Sequence, residues 1–145
     1  MSTIPSREVD PGARAWIDLV IAGSPVAKSL GVEIVAAEVD CVRVRIRFAD
    51  EITTVPGVIH GGVVSALIDI AGAAGSASGL TAEDNATGGA TSHLSVTYLA
   101  PATGDLEAVA TVVHRSRSMT QSEVAVRAVG GDLVAVGQVS SRIFH

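Results

Sequence analysis

The residue best able to do chemistry in this chain is an aspartate set in an apolar run. Asp69 stands within Leu67-Ile68-Asp69-Ile70-Ala71 and is the one charged side chain between Glu51 and Glu83. Burying a carboxylate without partners costs free energy, so a chain that keeps one in its most apolar stretch points to a general base or a nucleophile. The structural alternative is a fold-specifying contact, with backbone donors or an arginine holding the acid. A second signal lies just upstream, in Val58-Ile59-His60-Gly61-Gly62. If a helix begins there, its first N–H groups are unpaired and carry the positive end of the dipole, and Gly61 and Gly62 let a ligand carbonyl come close. That is the chemistry of an oxyanion hole, with His60 as part of it or as its cap.

Spacing joins the two signals. At about 1.5 Å per helical residue, the segment from Gly61 to Asp69 separates amide donor and carboxylate by roughly 12 Å. One carbonyl cannot reach both. Two such helices packed antiparallel across a twofold axis, about 8–10 Å apart, place Asp69 of one chain beside Gly61 of the other. A catalytic reading therefore requires a homodimer with composite sites.

The elements that must position these residues follow from periodicity. Trp16, Leu19 and Val20 recur at helical spacing and predict a first helix over 13–23, ended by Gly23-Ser24-Pro25 and followed by a short helix near 26–30. Residues 31–40 are rich in β-branched side chains, and Val42-Arg43-Val44-Arg45-Ile46-Arg47-Phe48 alternates strictly. These predict a hairpin with Val42, Val44, Ile46 and Phe48 facing in and the three arginines facing out into solvent. Residues 50–58, with Pro56 and Gly57, read as a loop. The helix carrying Asp69 runs from 60 or 61 to about 78 and is apolar on nearly every side, as in a helix enclosed by a sheet. Strand-like runs follow at 90–99, 106–115, 121–129 and 133–143, the last two joined at Gly130-Gly131-Asp132. Because strands and helices do not alternate, the fold class is α+β, a mostly antiparallel sheet curled around one long helix. Residues 1–12, with Pro5 and Pro11, read as a flexible arm ahead of a single domain over 13–145.

Composition sets the surroundings. Hydrophobic residues make up 48% and charged ones 17%, which excludes disorder. Aromatic residues make up only 3% and there are 15 glycines, so the core is built from Val, Ile, Leu and Ala with close backbone approach. A net charge of −5 supplies no broad positive field, which argues against nucleic acid or an anionic membrane as partner. The apolar stretch over 63–80 approaches spanning length, but Asp69 and its glycines and serines make it a buried soluble helix. The one cysteine, Cys41, permits no internal disulfide and suits a reducing, cytoplasmic compartment, where it reads as packing rather than as a nucleophile. The first apolar stretch, 16–22, is too short, and the residues before it too acidic, for a signal peptide.

His60-Gly61-Gly62, Leu67 and Asp69, followed by Thr91-Ser92-His93-Leu94-Ser95-Val96-Thr97-Tyr98-Leu99-Ala100-Pro101 and the Gly-Asp-Leu-Val-Ala-Val-Gly hairpin, resemble the hotdog-fold acyl-CoA thioesterases of the PaaI type. The resemblance extends over 24–144. It implies hydrolysis of an acyl-CoA thioester to free acid and CoA, without a cofactor, in homodimers that pair into homotetramers. Asp69 matches the family's catalytic carboxylate, as nucleophile or as general base on a water. Gly61 matches the amide that polarises the thioester carbonyl, with His60 and Gly62 beside it, and Thr91 matches a hydroxyl that holds the water or the acid. Thr54 stands where the family commonly has Asn or Gln, and is shorter. Arg115 and Arg117, in His114-Arg115-Ser116-Arg117-Ser118, fall where relatives contact the CoA phosphates.

Two other functions use the same residues. A hotdog dehydratase would act on hydroxyacyl thioesters through an Asp and a His converging on one carbon. An acyl-CoA-binding module would bind without hydrolysis. No G-x-S-x-G elbow, phosphate-binding glycine loop or dinucleotide fingerprint occurs, and no His, Cys and acid cluster has metal spacing.

Overall fold

The computed structural model describes residues 7–145. Its first helix, α1 (Pro11–Trp16), begins two residues before the expected start. Asp10 caps it by accepting the Gly12 N–H at 3.0 Å, and Pro11 fits the first turn because it has no N–H to leave unpaired. Residues 7–12 of the expected arm thus have a place, with the Arg7 carbonyl accepting the Val39 N–H at 3.0 Å; residues 1–6 lie outside the described residues. From Ile17 to Ile21 the helix widens into a π-helical turn, closed by the Ala22 N–H on the Ile17 carbonyl at 2.8 Å. A Cβ on Gly23 would stand 2.3 Å from the Leu19 carbonyl oxygen, so only glycine passes that corner. Ser24 then caps α2 (Pro25–Leu30).

The hairpin of β1 (Glu33–Glu38) and β2 (Cys41–Ile46) forms as expected. Val42, Val44 and Ile46 are fully buried, while Phe48, beyond the strand, is half-buried. Outside, Arg43 pairs with Glu107, and Arg45 and Arg47 pair with Glu33, each at 3.1 Å. Cys41 is exposed rather than packed. The expected loop contains a small hairpin, β3 (Thr53–Val55) and β4 (Val58–Ile59), turning at Gly57 with φ +82°. It holds the start of the long helix, because the His60 N–H donates to the Ile52 carbonyl at 2.8 Å.

That helix, α3 (Gly61–Ser78), lies in the concave face of a six-stranded antiparallel sheet. The sheet is completed by β5 (Gly88–Tyr98), β6 (Leu106–Arg115), β7 (Met119–Ala128) and β8 (Leu133–Phe144), in the order β1-β2-β6-β7-β8-β5. Consecutive strands from β6 to β8 are neighbours, whereas β5 crosses over to the outer edge beside β8. By composition α3 could span a bilayer, yet 61% of it is buried inside the molecule. Close approach is built in: a Cβ on Gly72 would meet Val139 at 2.6 Å, and one on Gly137 would meet Ile68 at 2.8 Å. Leu67 and Ile68 are fully buried, and truncating either to Ala costs about 2–5 kcal/mol.

Candidate active site

The sheet does not cover α3 all round. Gly62, Ala66, Asp69 and Ala73, spaced at helical intervals, form a stripe that stays partly or fully exposed. Asp69 is therefore partly exposed, not fully buried as the apolar sequence around it suggests: its apolar neighbours turn toward the strands and leave it on the open face. Thr91 reaches it from β5, its hydroxyl donating to Asp69 Oδ1 at 2.5 Å. A bulge makes this possible. Thr91 pairs with Ser141 and His93 with Ser140, so Ser92 is the extra residue that re-aims the strand at this point. The second carboxylate oxygen of Asp69 has no protein donor among the described residues.

The other half of the site lies at the helix start. His60 is the N-cap, its Nδ1 accepting the Gly62 N–H at 2.8 Å, so its ring acts as a cap and its own N–H is taken by Ile52. The Gly61 N–H, by contrast, has no acceptor among the described residues and lies at the positive end of an 18-residue helix. Gly61 shares a cavity of about 390 Å³ with Thr54, Val64 and Tyr98. The structure thus brings Thr54 to Gly61 and Thr91 to Asp69, and keeps the two pairs apart along one helix.

Tyr98 and Ser65 belong to this half and were not singled out from sequence. The Tyr98 hydroxyl donates to the Gly61 carbonyl at 2.7 Å and stands 2.5 Å from the Ser65 hydroxyl, which donates to it in turn. A Cβ on Gly61 would lie 3.3 Å from the Tyr98 ring, a contact tight enough that the ring would have to shift slightly to admit it. The signal was available: Ser65 follows Gly61 by one helical turn, and Tyr98 is the one tyrosine of the chain.

The expected phosphate-binding arginines differ from each other. Arg115 donates to Asp40 Oδ1 at 2.8 and 3.0 Å and to the Gly75 carbonyl at 3.1 Å, tying the β1–β2 turn to the carboxyl end of α3. Its guanidinium is engaged internally. Arg117 is exposed in the turn between β6 and β7 and has no acidic partner among the described residues. That turn is held by His145, whose ring nitrogens lie 2.9 Å from the Arg117 carbonyl and 3.0 Å from that of Asp84. His93 is exposed on β5.

Residues 56–135 match the thioesterase superfamily, a span that includes Gly61, Asp69, Thr91 and Tyr98. A protein of Halobacterium salinarum, provisionally described as an esterase, is 35% identical over 125 residues, covering 80% of this chain and 82% of its own length. Among solved structures, AziG of S. sahachiroi is 26% identical and superposes with a TM-score of 0.76 over 84% of this chain and 98% of its own. A thioesterase family protein of Silicibacter pomeroyi is 24% identical with a TM-score of 0.82, covering 92% of this chain and 98% of its own. The PaaI protein from the phenylacetic acid degradation operon of E. coli is 18% identical with a TM-score of 0.82, covering 95% and 97%. The last two show a shared fold, the hotdog sheet wrapped on one long helix. With the matched span carrying both the helix-start amide and the carboxylate that the geometry singles out, this chain belongs to the thioesterase superfamily.

Proposed function

We propose that this protein hydrolyses acyl-CoA thioesters to free acid and CoA. The observation that carries the reading is the pairing, on one helix, of a Gly61 N–H with no acceptor among the described residues and a partly exposed carboxylate at Asp69 held on one oxygen by Thr91. The Gly61 N–H, aided by the helix dipole, stabilises the oxyanion that forms as the thioester carbonyl is attacked. Asp69 takes the proton of the attacking water through the oxygen that Thr91 leaves free, and returns it to the departing CoA thiolate. The exposed Arg117 meets the phosphates of the carrier.

Because amide and carboxylate lie roughly 12 Å apart along α3, the working unit is a homodimer with composite sites. Its support is β5, an 11-residue strand whose outer edge has no partner among the described residues and which displays Leu94 and Tyr98, 39% and 53% exposed. Pairing of two such edges sets the open stripes of two α3 helices side by side. Pairing of dimers into a tetramer, in the cytoplasm, completes the assignment.

The test is release of free thiol from acyl-CoA by wild type and Asp69→Asn. The variant keeps its fold and loses about 10²–10⁴ in kcat, the contribution of a general base. Near-wild-type turnover by Asp69→Asn defeats the mechanism. Single-turnover hydrolysis in ¹⁸O-water separates the roles of the acid: label enters the product acid if Asp69 is the base, and enters Asp69 if it is the nucleophile.

A further inference from the structure

A cavity of about 430 Å³ reaches Thr91, the residue that donates to Asp69, and shares no residue with the cavity at the helix start. Its wall is drawn from α1 and the π turn, α3, residues 80–87, β5 and β8, and it is mixed, with Asp10, Thr81, Asn85 and Arg142 beside the apolar side chains. The π-helical turn and the end of α1 contribute Trp16 and Val20, the second half of α3 contributes Ala73 and Ala77, and β5 contributes Thr91. Thr91 is thus both a wall of the cavity and the donor to Asp69. Ala73 stands one turn of α3 beyond Asp69, on the same uncovered stripe. Thr91 and Ala73 thus connect Asp69 to the cavity, so a group attached to a carbonyl at Asp69 enters it past these two residues.

The π turn shapes the outer wall. Ile17 is fully buried in the core, while Trp16 and Val20 line the cavity and keep 40% and 44% of their surface uncovered. An extra residue in a helical turn shifts which side chains share a face, and such turns recur at functional sites. Large apolar side chains left uncovered around a concavity mark a surface built to take an apolar ligand.

We propose that this cavity holds the acyl group, that the substrates are medium-chain aliphatic acyl thioesters, and that Trp16 gauges chain length. The proposal rests on Asp69 as the hydrolytic carboxylate. At roughly 30 Å³ for a group the size of water or a methylene, and allowing for imperfect packing, the cavity takes a chain of about ten carbons. A short acyl group leaves most of the apolar wall wet. A much longer one must pass Trp16.

Two measurements test this separately from hydrolysis itself. The first is kcat/KM for butyryl-, hexanoyl-, decanoyl-, hexadecanoyl- and phenylacetyl-CoA. It rises up to about fourfold per methylene toward decanoyl and then falls. Trp16→Ala moves the optimum to longer chains, and Ala73→Leu, which narrows the cavity just beyond Asp69, moves it to shorter ones. The second uses Trp16 as the one tryptophan of the chain: its emission shifts to the blue when the non-hydrolysable thioether of decanoyl-CoA binds. Hydrolysis with its optimum at butyryl- or phenylacetyl-CoA, or with Trp16 emission unmoved, overturns the cavity assignment and leaves the thioesterase reading standing. A blue shift without thiol release for any substrate keeps the cavity as the acyl site and defeats the hydrolytic role of Asp69. If Trp16→Ala does not fold, the wild-type profile and Ala73→Leu decide.

Discussion

Thr91 donates its hydroxyl to Asp69 at 2.5 Å, joining β5 to the middle of α3 across 22 residues of sequence. The bond occupies one carboxylate oxygen and fixes the direction of the other. Thr91→Val removes the donor while keeping the shape of the side chain, and kcat falls about tenfold, the worth of a charge-assisted hydrogen bond of about 1.5 kcal/mol. Thr91→Ser keeps the donor and retains most of the activity. Equal loss in both variants, measured by thiol release at saturating substrate, refutes the positioning role.

Tyr98 holds the helix start from the far end of the same strand. Its hydroxyl bridges the Gly61 carbonyl and Ser65, so Tyr98→Phe loosens the peptide that follows the oxyanion donor. A drop of about tenfold in kcat with KM nearly constant is expected, together with about 1 kcal/mol of stability from the lost hydrogen bonds. A variant that changes KM alone argues that Tyr98 contacts substrate rather than orienting the backbone.

The two arginines separate into structure and binding. Arg115→Ala removes both donors to Asp40 Oδ1 and one of the donors to the Gly75 carbonyl, and lowers stability by about 2 kcal/mol in a urea titration, with KM for acyl-CoA unchanged. Arg117→Ala behaves oppositely, raising KM several-fold, more at low salt than at high, with stability within about 0.5 kcal/mol of wild type. Identical behaviour of the two variants contradicts this division.

Acid sensitivity of the outer sheet has a named source. Arg45 first, then Arg47, hold the Glu33 carboxyl below its ordinary value of 4.5. A group whose folded value is the lower one stabilises the fold above its unfolded value, and that stabilisation is lost as pH falls through the folded one. The stability difference between wild type and Glu33→Gln is therefore present at pH 7 and shrinks below about pH 4.5. Urea midpoints across that range check it, and a difference that grows on acidification contradicts it.

Much of the fold was legible because it rests on local periodicity. The alternation from Val42 to Ile46 is the sheet's inner face read directly, and the apolar run around Leu67 is α3 with its expected limits. The small hairpin over 53–59 was missed because its strands are two and three residues long, too short to show a period. The π turn was missed because Trp16, Leu19 and Val20 fit an ordinary helix equally well, and only the hydrogen bond from Ala22 to Ile17 reveals the extra residue.

By itself the sequence determined which groups are available: one acid in an apolar helix, two glycines at that helix's start, and too great a distance between them for one chain to use both. Tertiary structure decided what surrounds them. It placed Asp69 on the uncovered stripe of α3 rather than in the core, since which side of an all-round apolar helix meets the sheet depends on strands far away in sequence. It also gave Thr91 to Asp69 through a bulge, engaged Arg115 with Asp40, and set Trp16 across a cavity from Ala73. None of these pairings has a local signature, because each joins elements far apart in sequence, Thr91 to Asp69 through the crossover that carries β5 to the edge of the sheet.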